Sequence, residues 1–356
     1  MSKSNVVIAI DAMGGDRAPD IVLEGAELAL KARPDLKFIL CGDEELLKQK
    51  ISTGSALLHA ARFRHADRIV SMDAKPSQAL RAARGTSMWE AVHAVKEGEA
   101  NAAVSAGNTG ALMAISKIIL RTLDGAHRPA IAALWPTQKG RAIVLDVGAN
   151  IEADAPQLVE FAIMGEAYAR ALLGVPRPKV GLLNIGSEDL KGRPEIREAA
   201  KLIRESQLDL DFTGFVEGCD IPDGMVDVIV ADGFTGNIAL KTAEGTAKLI
   251  AGFVRGAFKR SIWTKLSALV ARPALNSIKD KLDPRTVNGG VFLGLNGLVV
   301  KSHGGADAFG FAAALDLTQR LTRQPFQEEI AANLARLRIQ GCDRGAEATT
   351  TAGAIS

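Results

Sequence analysis

Residues 6–16 have the sequence VVIAIDAMGGD, in which a short apolar run ends in a polar turn with two glycines. A helix-compatible segment follows, and this order recurs through the first two-thirds of the chain. Near-continuous apolar strands that alternate with helices are typical of a mostly parallel sheet covered on both faces. The sequence therefore predicts an α/β fold. The predicted strands are Val6–Ile10, Lys37–Cys41, Arg68–Ser71, Ala102–Ser105, Ala130–Trp135, Ala142–Asp146, Val180–Asn184, Asp211–Val216 and Val228–Asp232.

The chain shows no linker, low-complexity block or fixed-period repeat that would divide it. We expect one α/β catalytic unit over residues 1–340, with a helical excursion at about 245–282 and a disordered tail over 341–356. Its 43 basic and 41 acidic side chains nearly balance, and 47% of its residues are hydrophobic, which excludes a disordered chain.

Cysteine usage and hydropathy indicate the cellular compartment of the protein. The three cysteines show no CxxC spacing, so neither a disulfide framework nor a zinc site is predicted. The N-terminal apolar run is too short for a signal peptide, and no run reaches the ~18 apolar residues of a membrane span. We expect a cytosolic protein.

Several catalytic motifs are absent from the sequence. It has no Gly-x-Gly pair, no GxxxxGK[ST], no GxSxG and no HExxH. These absences argue against a dinucleotide-binding dehydrogenase, a P-loop NTPase, an α/β-hydrolase and a zinc protease.

Glycine-containing turns that carry Asn, Ser, Thr and Asp follow the predicted strands. Ligands of parallel sheets bind outside the carboxyl ends of the strands, so we expect these turns to meet at one edge and bind an anion. Any single turn alone is more readily explained as a tight strand-to-helix connection, and the convergence of five such turns is what favours a binding site. The candidate phosphate-binding or substrate-binding residues are Asp11, Gly14, Gly15, Ser105, Gly107, Asn108, Thr109, Asn150, Asn184, Asp232, Gly233, Thr235, Gly236, Lys301 and His303.

Two further polar residues are candidates for catalysis. Lys191 lies just past a predicted strand end, where an ammonium could neutralise phosphate or the oxyanion of a tetrahedral intermediate. Asn237 closes the DGFTGN turn and could donate its amide to a carbonyl oxygen. The alternatives are a solvated lysine and a turn or cap asparagine. Cys41, without a histidine nearby in sequence, is interpreted as a buried hydrophobic residue.

The segment Gly245–Lys279 contains seven basic residues and no acidic one. Its apolar residues recur at helical spacing, which predicts a basic amphipathic helix pair. Such a surface would suit an acidic protein or an anionic membrane, and the alternative is packing on the core or at a dimer interface. The predicted contact residues are Lys259, Arg260, Trp263, Lys265, Leu266, Leu269 and Arg272.

Six motifs occur in a fixed order along the chain: IDAMGGD (10–16), SAGNTGAL (105–112), VLDVGAN (144–150), LLNIGSEDLKG (182–192), VADGFTGN (230–237) and GLNGLVVKSHG (294–304). Over about residues 5–325 the ordered set resembles the PlsX family of bacterial phosphate acyltransferases. Two small departures from the family pattern are Arg193 after the KG pair and the 288–290 segment, where some members have a tyrosine.

The resemblance implies a three-layer α/β/α sandwich, similar to phosphotransacetylases and isocitrate-dehydrogenase-like enzymes, that forms a homodimer. It implies conversion of acyl-(acyl carrier protein) and inorganic phosphate into acyl phosphate, which feeds a membrane glycerol-3-phosphate acyltransferase. The essential lysine and asparagine of the family fall on Lys191 and Asn237. Members associate peripherally with the membrane through helices that match about 245–280. No metal, nucleotide or other cofactor is expected, and no nucleic acid partner.

Two alternative functions remain open from the sequence. One is a phosphotransacetylase-like enzyme that uses acyl-CoA, and the other is a noncatalytic membrane adaptor that acts through the basic segment. A dehydrogenase is the weakest alternative, because the dinucleotide fingerprint is missing.

Overall fold

The computed structural model describes residues 6–275, 285 and 288–337. The tail predicted for 341–356, and residues 276–282 of the predicted helical excursion, lie outside the described residues. The strands are β1 (Val7–Asp11), β2 (Lys37–Gly42), β3 (Ala61–His65), β4 (Ala102–Ser105), β5 (Ala130–Thr137), β6 (Gly140–Leu145), β7 (Lys179–Leu183), β8 (Asp211–Val216), β9 (Val228–Val230), β10 (Gly290–Leu293) and β11 (Leu298–Lys301).

Helices connect the strands and cover both faces of the sheet. They are α1 (Asp20–Ala32), α2 (Glu44–Lys50), α3 (Ala56–Ala60), α4 (Pro76–Arg81), α5 (Ser87–Lys96), α6 (Thr109–Leu120), α7 (Ala155–Leu173), α8 (Pro194–Glu205), α9 (Asp220–Asp223), α10 (Gly233–Lys259), α11 (Ile262–Val270) and α12 (Ala308–Leu321). A further helical segment covers 326–337. Within the described part of the chain, no helix is long and apolar enough to span a membrane.

The eleven strands form one sheet in the order β3-β2-β1-β4-β11-β10-β5-β6-β9-β7-β8. Seven neighbouring pairs are parallel and three are antiparallel, which confirms the predicted α/β class with a mostly parallel sheet. The segment 68–71 was predicted to be a strand and is not one, because only Arg68 forms an isolated bridge, to Thr86.

Two buried clusters place the helices on opposite faces of the sheet. One face packs strand side chains against α1, α3, α7, α8 and α12, and its large buried residues include Phe161, Tyr168 and Phe311. The other face packs strand side chains against α4, α5, α6 and the first half of α10. The result is the three-layer α/β/α arrangement that the resemblance implies.

The three antiparallel pairings reverse the direction of the sheet near its centre. β5 and β6 form a hairpin in which Thr137 pairs with Gly140, so β6 and its parallel neighbours β9, β7 and β8 run opposite to β1, β4 and β11. The carboxyl ends of the two sets of strands therefore lie at opposite edges. The expectation that all glycine turns meet at one edge is wrong for this reason.

Candidate active site

The candidate residues divide between these two edges. The first set, which we call the Lys301 group, comprises Asp11, Ser105, Lys301 and His303 and follows β1, β4 and β11. The second set, the Lys191 group, comprises Lys191 and Asn237 with the turns that hold them, after β6, β7 and β9. Each group is built from neighbouring parallel strands, so its members come together although they are distant in sequence.

The Lys301 group is centred on a buried carboxylate. Asp11 and Ser105 are aligned on adjacent strands, and Ser105 is in turn aligned with Lys301. The Ser105 hydroxyl donates to Asp11 Oδ2 at 2.6 Å and accepts from the Gly107 N–H at 3.0 Å. Asp11 Oδ1 is buried and has no hydrogen-bond partner among the described residues. A Cβ on Gly14 would lie 2.9 Å from Gly107 N, so this close packing requires glycine.

Electrostatics in this group follow from burial. Burial raises the pKa of the Asp11 carboxyl, and the hydrogen bond from Ser105 and the charge of Lys301 oppose this shift. Burial lowers the pKa of the Lys301 ammonium to about 8, against the charges of Asp11 and Asp16. Lys301 Nζ also donates to Ala106 O at 3.3 Å. This cation therefore titrates close to neutral pH.

Helix α6 begins beside this group. Asn108 is its cap: Oδ1 accepts from the Ala111 N–H at 2.9 Å, and Nδ2 donates to Met72 O and Ala74 O. The Asn108 side chain is therefore committed to local structure. In the part of the chain that the structure describes, the N–H groups of Thr109 and Gly110 have no acceptor, so they remain available to an anion.

The Lys191 group is organised by Asp146, which the sequence reasoning did not select. Its buried carboxylate accepts from the N–H groups of Ile131, Gly148, Ala149 and Asn150, and from the Asn150 amide. Burial raises the pKa of Asp146, and these hydrogen bonds oppose the shift. Asn150 also donates to Pro129 O at 2.8 Å, so both residues fix the turn after β6.

The start of α10 packs directly on that turn. Asp232 caps the helix by accepting the Thr235 N–H at 2.7 Å, and the Gly233 N–H donates to Asn150 O at 2.8 Å. A Cβ on Gly233 or Gly236 would overlap the carbonyl oxygens of Asn150 and Asp146, respectively. The glycines at 233 and 236 therefore permit close packing.

The first-turn N–H groups of α10 are all engaged. Phe234 donates to Ile151 O and Gly236 donates to Asp232 O, in addition to the two bonds above. The expectation that the backbone of this turn cradles phosphate is therefore not supported. What α10 offers is the exposed side chain of Asn237, which lies next to Gly148.

Lys191 lies in a loop clamped by a buried asparagine. Asn184 Nδ2 donates to Gly186 O and Lys191 O, both at 3.1 Å. Gly192 has a φ of +84°, and a Cβ there would overlap Asn184 Oδ1. Lys191 itself is exposed, and among the described residues no carboxylate lies within ion-pair distance of it. The loop thus holds a cation that is free to meet an anionic substrate.

Arg193, one of the two departures from the family pattern, joins the two halves of this group. Its guanidinium pairs with Asp232 Oδ2, while Asp232 Oδ1 caps α10. Because β7 and β9 are adjacent in the sheet, this ion pair ties the Lys191 loop to the helix that carries Asn237. No local sequence pattern indicates this pairing, because its two residues are 39 positions apart.

Helix α10 also links the two edges of the sheet. Lys241, one turn after Asn237, lies within electrostatic range of both Lys301 and His303. Partial desolvation and the charge of Lys241 lower the pKa of His303. The two groups therefore lie at opposite edges but along one helix.

The basic segment is confirmed as a helix pair. It continues α10, turns at Ser261 and forms α11, whose start carries a capping box between Ser261 and Thr264. Its large apolar residues, including Trp263, Leu266 and Leu269, are exposed in the single chain. Among the described residues, this stripe does not pack on the core of the chain.

The described residues include a buried cysteine, Cys41, and no metal-binding cluster. Cys41 is buried at the end of β2, and burial raises the pKa of its thiol, as expected for an inert core cysteine. Within the ranges that the structure covers, no cluster of three or more His, Cys, Asp or Glu side chains is placed to hold a metal ion.

A family model described as "Fatty acid synthesis protein" matches residues 6–329. The chain is 56% identical over 330 residues to a phosphate acyltransferase from Maricaulis maris, covering 92% of this chain and 94% of that protein. It is 53% identical over 350 residues to a phosphate acyltransferase from Azorhizobium caulinodans, covering 98% of each.

Among solved structures, a phosphotransacetylase from Streptococcus pyogenes aligns with a TM-score of 0.59 at 18% identity, over 90% of this chain and 94% of that one. At this identity the likeness concerns the fold alone. It agrees with the α/β/α class described above.

Proposed function

We propose, from the premise that the chain belongs to the PlsX family of phosphate acyltransferases, that it transfers the acyl group of an acyl-(acyl carrier protein) to inorganic phosphate. Membership of this family makes the chain a phosphate acyltransferase of fatty acid and lipid synthesis. The carrier protein as donor, and the roles of individual residues, are our proposal.

The reaction requires little covalent chemistry from the protein. A phosphate oxygen attacks the thioester carbonyl carbon, a tetrahedral oxyanion forms, and the carbon–sulfur bond breaks as the carbonyl is restored. The products are acyl phosphate and the thiolate of the carrier, which takes up a proton. Alignment of the two substrates and stabilisation of negative charge are the contributions that a protein can make.

The observation that carries this proposal is the junction of the Lys191 loop with the start of α10. We assign the exposed Lys191 ammonium to the attacking phosphate and the Asn237 amide to the thioester carbonyl oxygen. The clamp by Asn184 and the ion pair between Arg193 and Asp232 support a fixed geometry for both groups. A preorganised donor costs no reorganisation as charge develops on the oxyanion.

The Lys301 group has the character of a second site for a substrate anion. It offers the Lys301 ammonium, the open N–H groups of Thr109 and Gly110, and the nearby His303. We propose that it binds a phosphate of the substrates beside Lys241, one turn along α10 from Asn237.

The basic segment is our proposed docking surface for partners. Acyl carrier protein is acidic, so this surface would steer its approach, an effect that salt weakens. The exposed Trp263, Leu266 and Leu269 beside lysines also suit an anionic bilayer. We propose a cytoplasmic homodimer that associates peripherally with the membrane and delivers acyl phosphate to a membrane glycerol-3-phosphate acyltransferase.

The test is a phosphate-dependent assay with two donors. Pure protein is incubated with hexadecanoyl-(acyl carrier protein) or hexadecanoyl-CoA, with and without inorganic phosphate, and acyl phosphate is trapped as the hydroxamate. We expect turnover that needs phosphate and prefers the carrier protein. Preference for the CoA donor would favour a phosphotransacetylase-like enzyme, and absence of turnover with both would favour the noncatalytic adaptor.

A further inference from the structure

The surface around Lys191 and Asn237 exposes an unusual number of large apolar side chains. Ile151, Ile185, Leu190, Phe234 and Ile238 are between 51% and 86% exposed. We call these five residues the apolar rim. Contiguous exposed apolar surface on a folded chain usually marks an interaction site.

The rim residues lie at one edge of the sheet because their three loops follow neighbouring strands. β6, β9 and β7 are adjacent and parallel, and the rim residues lie just beyond their carboxyl ends. The Phe234 N–H donates to Ile151 O at 3.3 Å, which joins two of the loops. Phe234 and Ile238 are one turn apart on α10, with Asn237 beside them.

The rim is also interrupted by charge. Glu188 and Asp189 are exposed in the loop that carries Ile185 and Leu190, and Lys191 follows directly. The core of a stable protein interface is depleted of such charged residues. Apolar side chains that flank a single reactive cation are better matched to a ligand with an apolar chain and a polar reacting end.

We infer that the apolar rim binds the hydrocarbon chain of the acyl donor. The inference rests on the proposed function, since it takes Lys191 and Asn237 as the point where the thioester carbonyl lies. An acyl chain begins one bond from that carbonyl, so its first methylenes must leave the reaction centre across the surrounding side chains. Leu190, which directly precedes Lys191, and Phe234, which lies three residues before Asn237 in α10, determine the preference for chain length.

The experiment compares chain-length selectivity in matched variants. Leu190→Ser and Phe234→Ser are assayed with hexadecanoyl-(acyl carrier protein) and butanoyl-(acyl carrier protein) at saturating phosphate. We expect the ratio of kcat/KM for the long donor over the short one to fall about tenfold in each variant, the scale for lost contacts in an apolar pocket. Leu190→Met, which keeps the apolar volume, should retain the ratio.

Met225→Ser is the matched control. Met225 is an exposed apolar residue that precedes β9 and therefore lies at the other edge of the sheet. It should keep the wild-type ratio. Light scattering and thermal unfolding of every variant separate loss of selectivity from loss of assembly or fold.

Two outcomes overturn the inference, and a third overturns the proposed function on which it rests. An unchanged selectivity ratio in both serine variants, with wild-type turnover intact, overturns the inference alone. A fall in molar mass that accompanies the loss of activity assigns the rim to contact with a second copy of the chain and also overturns it. Failure of the wild type to form acyl phosphate from either donor overturns the proposed function itself.

Discussion

Replacement of Gly236 by alanine tests how closely catalysis depends on the seating of α10. A Cβ at this position would overlap Asp146 O and lie 3.1 Å from the Asp146 carbonyl carbon. An ordinary carbon–oxygen contact is about 3.3 Å or more, so the first turn must retreat by roughly 1 Å. The turn after β6 cannot retreat instead, because Asp146 is held by four N–H groups and the Asn150 amide.

The displacement acts on the neighbouring residue, Asn237. A misplacement of about 1 Å in a catalytic group can cost about 100-fold in rate, and we expect Gly236→Ala to lose kcat on that scale. Overpacking costs about 1–3 kcal/mol, and the better helix propensity of alanine returns up to about 1 kcal/mol. The variant should therefore fold with a modestly lower Tm and a much lower rate of acyl phosphate formation.

Gly252→Ala provides the matched control for this experiment. Gly252 lies in the same helix, and apart from the helix's own backbone and the two adjoining residues no atom of the described chain lies within 4 Å of the position its Cβ would take. In a membrane-free assay we expect wild-type kcat and a gain in the free energy of unfolding of up to about 1 kcal/mol. Initial rates by the hydroxamate assay and thermal unfolding by circular dichroism are the measurements. Wild-type kcat and Tm in Gly236→Ala would refute the close seating of α10 on the Asp146 turn.

Three further predictions concern the other features of the molecule. Because the pKa of Lys301 is lowered to about 8, its positive charge is present below that pH and lost above it. The KM for the substrate whose phosphate this group binds should therefore rise through about pH 8. Lys301→Arg should move that rise to higher pH. A KM that does not change with pH in the wild type would contradict the binding of an anion by Lys301. Arg193→Ala leaves the buried Asp232 without its cation, so we expect a loss of kcat of about tenfold or more that added guanidinium partly restores, whereas a purely structural role would lower Tm without such rescue. Leu266→Glu should abolish flotation with anionic liposomes, and Ser267→Glu, which adds the same charge at the next position, should keep it; equal flotation of both variants counts against insertion of the apolar stripe.

The class of the fold was accessible from the sequence because its buried strands are continuous apolar runs. β4 and β8 match their predicted bounds, and β4, which is buried at all four residues, shows how clear the pattern of a covered parallel strand is. β3 was missed because its sequence ARFRH is basic and half-exposed at the edge of the sheet. The reversal at β5 and β6 was missed as well, because apolar patterning carries no information about strand direction. That single reversal separated the Lys301 group from the Lys191 group.

The candidate site could be predicted from the sequence only in part, for a related reason. Lys191 and Asn237 could be selected as candidates because each follows a strand in a glycine-containing turn. Asp146 and Arg193 were not, since their importance lies in long-range partners: the turn N–H groups for Asp146, and Asp232 for Arg193. The sequence reasoning also overestimated the glycines of α10 as anion donors, because it could not show that their N–H groups are already engaged.

The turnover of Lys191→Ala tests directly whether Lys191 carries the reaction. Hexadecanoyl-(acyl carrier protein) and inorganic phosphate are supplied at saturating concentrations, and acyl phosphate is measured as the hydroxamate. Lys201→Ala, which removes an exposed lysine from the neighbouring helix α8, is the control. We expect Lys191→Ala to unfold at the wild-type temperature yet form no detectable acyl phosphate, and Lys201→Ala to keep full activity. Substantial turnover by folded Lys191→Ala would contradict the claim that Lys191 carries the reaction.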